Sequence, residues 1–230
     1  MTKHLILLHG ALGSEQQLTR LKAALANNFT VHSFDFSGHG SKAADSQALS
    51  MELFAQNCAD FIRENNINKT HLFGYSMGGY AALTLADKHP KLVDRLITLG
   101  TKFDWNPEQA QKEMRMLNPD KIELKVPAFA KALAATHGTD NWKTVLQKTA
   151  AMMQQLGNGA GLDGQSLGEI KHKVLISIGS ADTMVTVEES KATAKLIPNA
   201  SLLILDGVEH PIAKLDAPVF ARQITDFLNS

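Results

Sequence analysis

Six short, almost continuously apolar runs are spaced along this chain of 230 residues, and a helical pattern follows each of them. A strand with one solvent-exposed face alternates polar and apolar residues, whereas continuous apolar runs are typical of strands buried on both faces of a parallel sheet. The alternation of strands with helices therefore predicts an α/β fold with a doubly wound, mostly parallel six-stranded sheet. The predicted strands are residues 5–8, 31–36, 71–73, 95–99, 174–178 and 201–205.

The regular alternation is interrupted between residues 101 and 168. Three helical patterns lie there, with start signals at Asn106-Pro107, at Pro127, and at Thr139 or Asp140. We expect a helical lid (101–168) inserted before the last two strands of a core formed by residues 1–100 and 169–230. An insertion of this kind lies above the carboxyl edge of the sheet, where ligands bind. The alternative is a helical elaboration that only stabilises the sheet.

A Gly-Tyr-Ser-Met-Gly-Gly sequence, residues 74–79, lies where the third predicted strand gives way to a helix. This is the setting of a nucleophile elbow, in which a strained strand-to-helix turn exposes a serine at a helix N-terminus. Gly74 and Gly78 flank Ser76 at the positions where side chains would obstruct the turn. The motif alone is also compatible with a serine that only caps the next helix.

Two further candidates follow Ser76 in the chain order that this elbow requires, an aspartate and then a histidine. Asp182 comes shortly after the fifth predicted strand, and His210 comes shortly after the sixth. His210 could act as general base, and Asp182 could orient it. Asp206 and Glu209 are local rivals for that orienting role. The alternatives are a turn aspartate and an exposed loop histidine, which we expect most of the nine histidines to be.

Two backbone N–H groups are the candidate oxyanion-hole donors. One belongs to Met77, directly after the nucleophile, and the other to Ala11, in the loop after the first strand. Paired amide donors stabilise a developing oxyanion without rearrangement.

These motifs together resemble the α/β-hydrolase fold superfamily, and the likeness covers nearly the whole chain apart from the predicted lid. It is carried by Leu7-Leu8-His9-Gly10, by Asp35-Phe36-Ser37-Gly38-His39-Gly40-Ser41, by the elbow, by Gly179-Ser180-Ala181-Asp182 and by His210. The resemblance implies a Ser-Asp-His triad at the carboxyl edge and a helical cap between the sixth and seventh of the usual eight strands. The first strand here corresponds to the third of those eight, and Lys173 stands where relatives usually have proline.

Serine at the elbow distinguishes this chain from the dehalogenases and epoxide hydrolases of the fold, which use aspartate there. We expect a carboxylesterase-like serine hydrolase that cleaves a small carboxylic ester or thioester through an acyl-enzyme, without cofactor or metal. One alternative is a lyase of the menaquinone-pathway type. Those enzymes carry an arginine where this chain has Tyr80, and Arg115 is the only arginine of the predicted lid. The other alternative is a catalytically weak small-molecule receptor.

The expected substrate is a small molecule with an apolar portion. Apolar residues near the elbow and in the predicted lid are candidate substrate contacts: Leu12, Tyr75, Met114, Phe129, Trp142 and Met153.

The charge balance argues against a nucleic acid partner, because 23 basic and 23 acidic residues leave no net field. Membrane insertion is not expected, since the first apolar run is too short for a signal core or a membrane span. Cys58 is the only cysteine, and its helical phase with Phe54 and Phe61 places it on a buried face. We expect a cytoplasmic protein, and the sequence makes no prediction of its oligomeric state.

Overall fold

A computed structural model describes residues 3–230 of the chain. Its centre is one six-stranded sheet in which every neighbouring pair of strands is parallel, in the order β2-β1-β3-β4-β5-β6. The predicted doubly wound α/β sheet is thereby confirmed. The strands are β1 His4–Leu8, β2 Thr30–Ser33, β3 Thr70–Tyr75, β4 Val93–Leu99, β5 Lys173–Gly179 and β6 Ala200–Leu205.

Helices cover both faces of this sheet, because the four inner strands β1, β3, β4 and β5 bury side chains on both sides. On one face the sheet packs against α2 and α3, and the core there contains Phe54 and Cys58, which are fully buried. On the other face it packs against α1 and α10, around Phe73 and Phe220. The helices of this core are α1 Thr19–Leu25, α2 Met51–Glu64, α3 Met77–Lys88, α9 Val187–Leu196 and α10 Ala217–Asn229.

The second strand is shorter than predicted, since it ends at Ser33 and not at residue 36. Phe34 and Phe36 are buried, but they reach the core from a loop. The backbone N–H of Phe36 donates to Nε2 of His9, at 3.1 Å, and not to a neighbouring strand. An apolar run predicted burial correctly here, but burial does not require a strand.

Five helices, and not three, form the helical insertion between β4 and β5, which we define as residues 101–168. The predicted starts at Pro107 and Pro127 are correct, and Asn106 caps the first helix by accepting from the Gln109 N–H. The two unpredicted helices are short and bury few side chains, so their apolar period is weak. The insertion contains α4 Pro107–Arg115, α5 Pro119–Lys125, α6 Pro127–His137, α7 Trp142–Gly157 and α8 Gly164–Glu169. No helix within residues 3–230 has the length and apolar character needed to cross a membrane.

Several histidines are buried inside this fold, contrary to the expectation of mostly exposed loop histidines. His9 and His39 are fully buried, and His71 and His137 are each 2% exposed. Burial in an apolar environment disfavours the charged imidazolium. It lowers the pKa of His9 to about 4, that of His39 to about 3 and that of His71 to about 4.

We predict that acid destabilises the protein through these histidines. The folded state keeps them neutral, whereas the unfolded chain binds protons near the ordinary histidine pKa, so the free energy of unfolding falls as pH falls from about 6.5 towards 4. Each histidine contributes about 1.4 kcal/mol per pH unit in that window. Urea denaturation between pH 4.5 and 7.5 measures this slope.

The His39→Leu variant should show a smaller slope than the wild type, because one titrating group is gone. Phe54→Leu is the control, since the ring centroid of Phe54 lies 5.7 Å from that of His39 and a phenylalanine does not titrate. We expect Phe54→Leu to lower stability and keep the wild-type slope. An unchanged slope in His39→Leu would contradict the assignment.

Candidate active site

Ser76 lies between the end of β3 and the start of α3, in a backbone conformation that is rare for a side-chain-bearing residue (φ 52°, ψ −117°). Close backbone contacts explain the flanking glycines. A Cβ atom on Gly74 would lie 2.3 Å from the carbonyl oxygen of Gly78, and one on Gly78 would lie 2.4 Å from that of Leu8. Ser76 is also tied to β4, because its N–H donates to the Leu99 carbonyl at 2.8 Å.

Asp182 and His210 are in direct contact, with 2.7 Å between Oδ2 of the carboxylate and Nδ1 of the imidazole. The other carboxylate oxygen accepts from the N–H groups of Met184 (2.8 Å) and Val185 (2.9 Å). Burial alone would raise the pKa of Asp182, but the hydrogen bonds from His210 and these N–H groups lower it below its usual range. The carboxylate is therefore ionised at neutral pH and can hold His210 in one tautomer and orientation.

The two rival carboxylates make other contacts. Asp206 accepts from the Ser180 hydroxyl at 3.2 Å, and Glu209 pairs with Lys214 at 2.6 Å. Neither is hydrogen-bonded to His210, so Asp182 is the carboxylate that orients the ring in this structure.

Gly100, directly after β4, has no functional signal in the sequence but borders this pair. Its φ is +60°, and a Cβ atom placed on it would lie 3.2 Å from both Oδ2 of Asp182 and Nδ1 of His210. A residue with a side chain would press on both partners while holding an unfavourable backbone conformation. Sequence analysis could have noted only that Gly100 ends a strand.

The predicted oxyanion-hole donors lie on two turns that face one cavity. Residues 10–13, which we call the β1 turn, are closed by the Gly13 N–H donating to the Gly10 carbonyl at 3.2 Å. Leu12 has φ 58°, the sign that the third residue of a type II turn requires. The N–H groups of Ala11 and Met77 donate to no acceptor within the described part of the chain. Both are free to bind a ligand oxygen.

A cavity of about 410 Å³ opens at this edge of the sheet, and Ser76 and His210 both line it. Of the predicted substrate contacts, Leu12, Tyr75, Phe129 and Met153 line it too. Tyr75 in addition donates its hydroxyl to the His210 carbonyl, at 3.1 Å. The helical insertion supplies much of the apolar wall, through Trp105, Met116, Leu117, Phe129, Met152 and Met153.

Two of the predicted substrate contacts, Trp142 and Met114, do not line this cavity. Trp142 is buried in a small core inside the insertion, with Ile122, Leu133 and Leu146. Met114 is half-buried and does not line the cavity. Helical phase identified the buried face of each helix, but a face buried against another helix has the same period as a face that meets a ligand.

Lys102 and Glu113 form a charged pair in the cavity wall that sequence analysis missed. Nζ of Lys102 lies 3.6 Å from Oε1 of Glu113, and their side chains are 16% and 8% exposed. Neither charge stood out in a chain of 46 charged residues. Arg115, by contrast, is exposed and donates to Gln111 on its own helix.

Tyr80 lines the cavity, as its place after the elbow suggests, but its hydroxyl is already engaged. It accepts a hydrogen bond from the Leu162 N–H, at 2.7 Å. Burial raises the pKa of Tyr80 to about 12, so the side chain stays neutral. Within residues 3–230, no group of three or more His, Cys, Asp or Glu side chains is arranged to hold a metal ion.

Comparison with known proteins identifies the class of protein that this fold and site define. The α/β-hydrolase fold family model matches residues 3–163, and the chain belongs to that family. Similar sequences include the sn-1-specific diacylglycerol lipase of Xenopus laevis, 23% identical over 98% of this chain and 80% of that protein. The 2-(acetamidomethylene)succinate hydrolase of Mesorhizobium japonicum is 22% identical over 98% and 88%.

Solved structures agree on the fold. The enol-lactonase of Burkholderia xenovorans LB400 superposes with a TM-score of 0.79 at 20% identity, covering 100% of this chain and 92% of that one. The family match and the hydrolase relatives identify the protein as an enzyme of the hydrolase class.

We predict that Gly100→Ala lowers kcat by about tenfold or more while the protein stays folded, because the added methyl group presses on Asp182 and His210. Ester turnover and a thermal melt measure the two quantities. Gly159→Ala is a matched control, since Gly159 also has positive φ (+93°) but nothing lies within 4 Å of its would-be Cβ. Equal activity of the two variants would argue against a role for the space beside Gly100.

Proposed function

We propose that this protein is a carboxylesterase-like serine hydrolase that cleaves a small carboxylic ester or thioester through an acyl-enzyme. The observation that carries the proposal is the 2.7 Å contact between Asp182 and His210 at the cavity that also exposes Ser76. The Ser76 conformation supports it, since strained backbone of this kind is held mainly where a site requires it.

In the proposed mechanism the Ser76 hydroxyl attacks the acyl carbon while Nε2 of His210 takes its proton. The negative charge that forms on the carbonyl oxygen is stabilised by the N–H groups of Met77 and Ala11, and the positive charge on the imidazole by Asp182. His210 then returns the proton to the departing alcohol or thiol, which leaves an ester between Ser76 and the acyl group. Water, activated by His210, hydrolyses this ester and restores Ser76.

The helical insertion acts in this proposal as a lid that sets the acyl preference. Its methionines are flexible and polarisable, so they adapt to apolar groups of different shape. A cavity of about 410 Å³ suits a small substrate. The lipase and the enol-lactonase among the similar proteins act on esters by name, which supports an ester in this cavity as well.

The charged groups of the cavity wall favour a neutral substrate over the anionic one that a lyase of this fold would use. Lys102 is the cavity's basic side chain apart from His210, and Glu113 offsets its charge. An anionic substrate would gain attraction from Lys102 and lose it through repulsion by Glu113. For this reason we place ester hydrolysis ahead of elimination.

For Ser76→Ala we predict a loss of aryl-ester turnover of about 10⁴-fold or more, because the nucleophile is gone. Intact mass after treatment with a fluorophosphonate, which reacts covalently with an activated serine, should show one adduct on the wild type and none on the variant. A well-folded wild type that neither labels nor turns over esters would shift the weight to a receptor-like protein.

We further predict that Glu113→Gln changes the charge preference of the substrate. With Glu113 neutralised, Lys102 attracts an anion without opposition, so kcat/KM for an aryl hemisuccinate should rise about tenfold relative to that for the aryl butyrate. Lys102→Met should shift the same ratio the other way. Lys112→Met, at an exposed position of α4, is the control for a general change of charge. If Lys112→Met shifts the ratio as far as Lys102→Met does, the effect is one of overall charge and the pair does not contact the substrate.

A further inference from the structure

His137 is a buried residue at the end of α6 that does not line the cavity, yet it connects two loops of the core. Its Nδ1 accepts a hydrogen bond from the Gly40 N–H, at 3.0 Å. Its Nε2 lies 3.0 Å from the carbonyl oxygen of Leu12. A backbone N–H can only donate, so Nδ1 carries no proton and Nε2–H donates to Leu12. Burial lowers the pKa of His137, which keeps the ring in this neutral form.

The Leu12 carbonyl belongs to the β1 turn, directly after the proposed donor Ala11. The turn's other hydrogen bonds all involve Gly10: its carbonyl accepts from the Gly13 N–H (3.2 Å) and from Nδ1 of His9 (2.8 Å), and its N–H donates to Oε1 of Gln17 (3.3 Å). Leu12, at the far side of the turn, has a positive φ that a leucine disfavours. The hydrogen bond from His137 fixes the peptide plane that follows Leu12, and so limits the movement of the Ala11 N–H.

The other end of this connection is rigid. Gly40 lies in the loop after β2, which Asp35 holds by accepting from both the N–H and the hydroxyl of Ser41, each at 2.8 Å. The other oxygen of Asp35 accepts from the Glu15 N–H, at 2.8 Å, just beyond the β1 turn. His137 therefore connects the β1 turn to a loop that is held in place by the hydrogen bonds of Asp35.

The helix that carries His137 also meets the cavity, because Phe129 near the start of α6 forms part of its wall. One short helix thus contacts the space for the substrate at one end and the β1 turn at the other. If α6 shifts, the two hydrogen bonds of His137 are lost together.

We propose that His137 is a positioning residue that holds the β1 turn, and with it the Ala11 N–H, in the geometry that stabilises the oxyanion. This inference rests on the proposed function, in which Ala11 is an oxyanion-hole donor. His137 contributes to the transition state through that donor, and so it affects kcat more than KM.

Three substitutions of His137 separate its two hydrogen bonds. His137→Leu removes both. His137→Asn keeps an acceptor near the Nδ1 position for Gly40 but is too short to reach Leu12. His137→Gln offers one acceptor and one donor, at a spacing similar to that of the imidazole nitrogens. The matched control is Lys148→Met, because Lys148 of α7 also ties the insertion to the core, through the Asp45 carbonyl, away from the β1 turn.

We would measure kcat and KM on an aryl butyrate, together with hydrogen–deuterium exchange of the peptide covering residues 9–14. For His137→Asn we expect kcat to fall about tenfold or more, KM to change less than about threefold, and exchange of that peptide to accelerate. His137→Leu should behave in the same way, and His137→Gln should recover most of kcat. If His137→Leu does not fold, the Asn and Gln variants still decide the question.

Two results would overturn the inference. One is a kcat loss in Lys148→Met equal to that in His137→Asn, which would mean that any loosening of the insertion has the same effect. The other is unchanged exchange of residues 9–14 in His137→Asn. A wild type without turnover or fluorophosphonate labelling would instead refute the proposed function, and the exchange measurement would still report whether His137 orders the turn.

Discussion

The close backbone crossing beneath Ser76 is the constraint on which the rest of the site depends. The end of β3 passes so near the first turn of α3, and that turn so near β1, that neither Gly74 nor Gly78 has room for a side chain. This crossing holds Ser76 at φ 52° and ψ −117°, a sparsely populated backbone conformation of the kind that costs about 1–3 kcal/mol. Hydrogen bonds to β4 and from the Thr101 hydroxyl offset that cost. Three strands of the sheet therefore combine to present one hydroxyl.

The carboxylate of Asp182 shows how the same edge of the sheet tolerates a buried charge. Removing an unpaired carboxylate from water costs several kcal/mol. Here three hydrogen bonds stabilise it, and hydrogen bonds to charged groups contribute about 1.5–3 kcal/mol each. The lowered pKa of Asp182 means that the hydrogen bonds outweigh burial. Gly100 leaves the space in which this arrangement fits.

Much of the fold and part of the candidate site followed from local sequence patterns. Apolar runs identified all six strands, and the four inner ones most clearly, because a strand buried on both faces has few polar positions. The glycines around Ser76 identified the elbow, since their spacing reflects a steric requirement within a few residues. The patterns failed where burial and local structure separate. Phe36 is buried from a loop, and Trp142 belongs to a core inside the insertion and not to the cavity wall.

The sequence by itself determined the positions of the six strands and of the helices with a strong apolar period, and the chain order of Ser76, Asp182 and His210. Only the tertiary structure decided which residues meet across long separations. It brings His137 to the Leu12 carbonyl across 125 residues of chain, and over a shorter separation it places Lys102, in the loop after β4, beside Glu113 of α4. Periodicity records which face of an element is buried. It carries no information about the partner on the other side of the contact, because that partner is set by how the layers pack and by where each connection leaves the sheet.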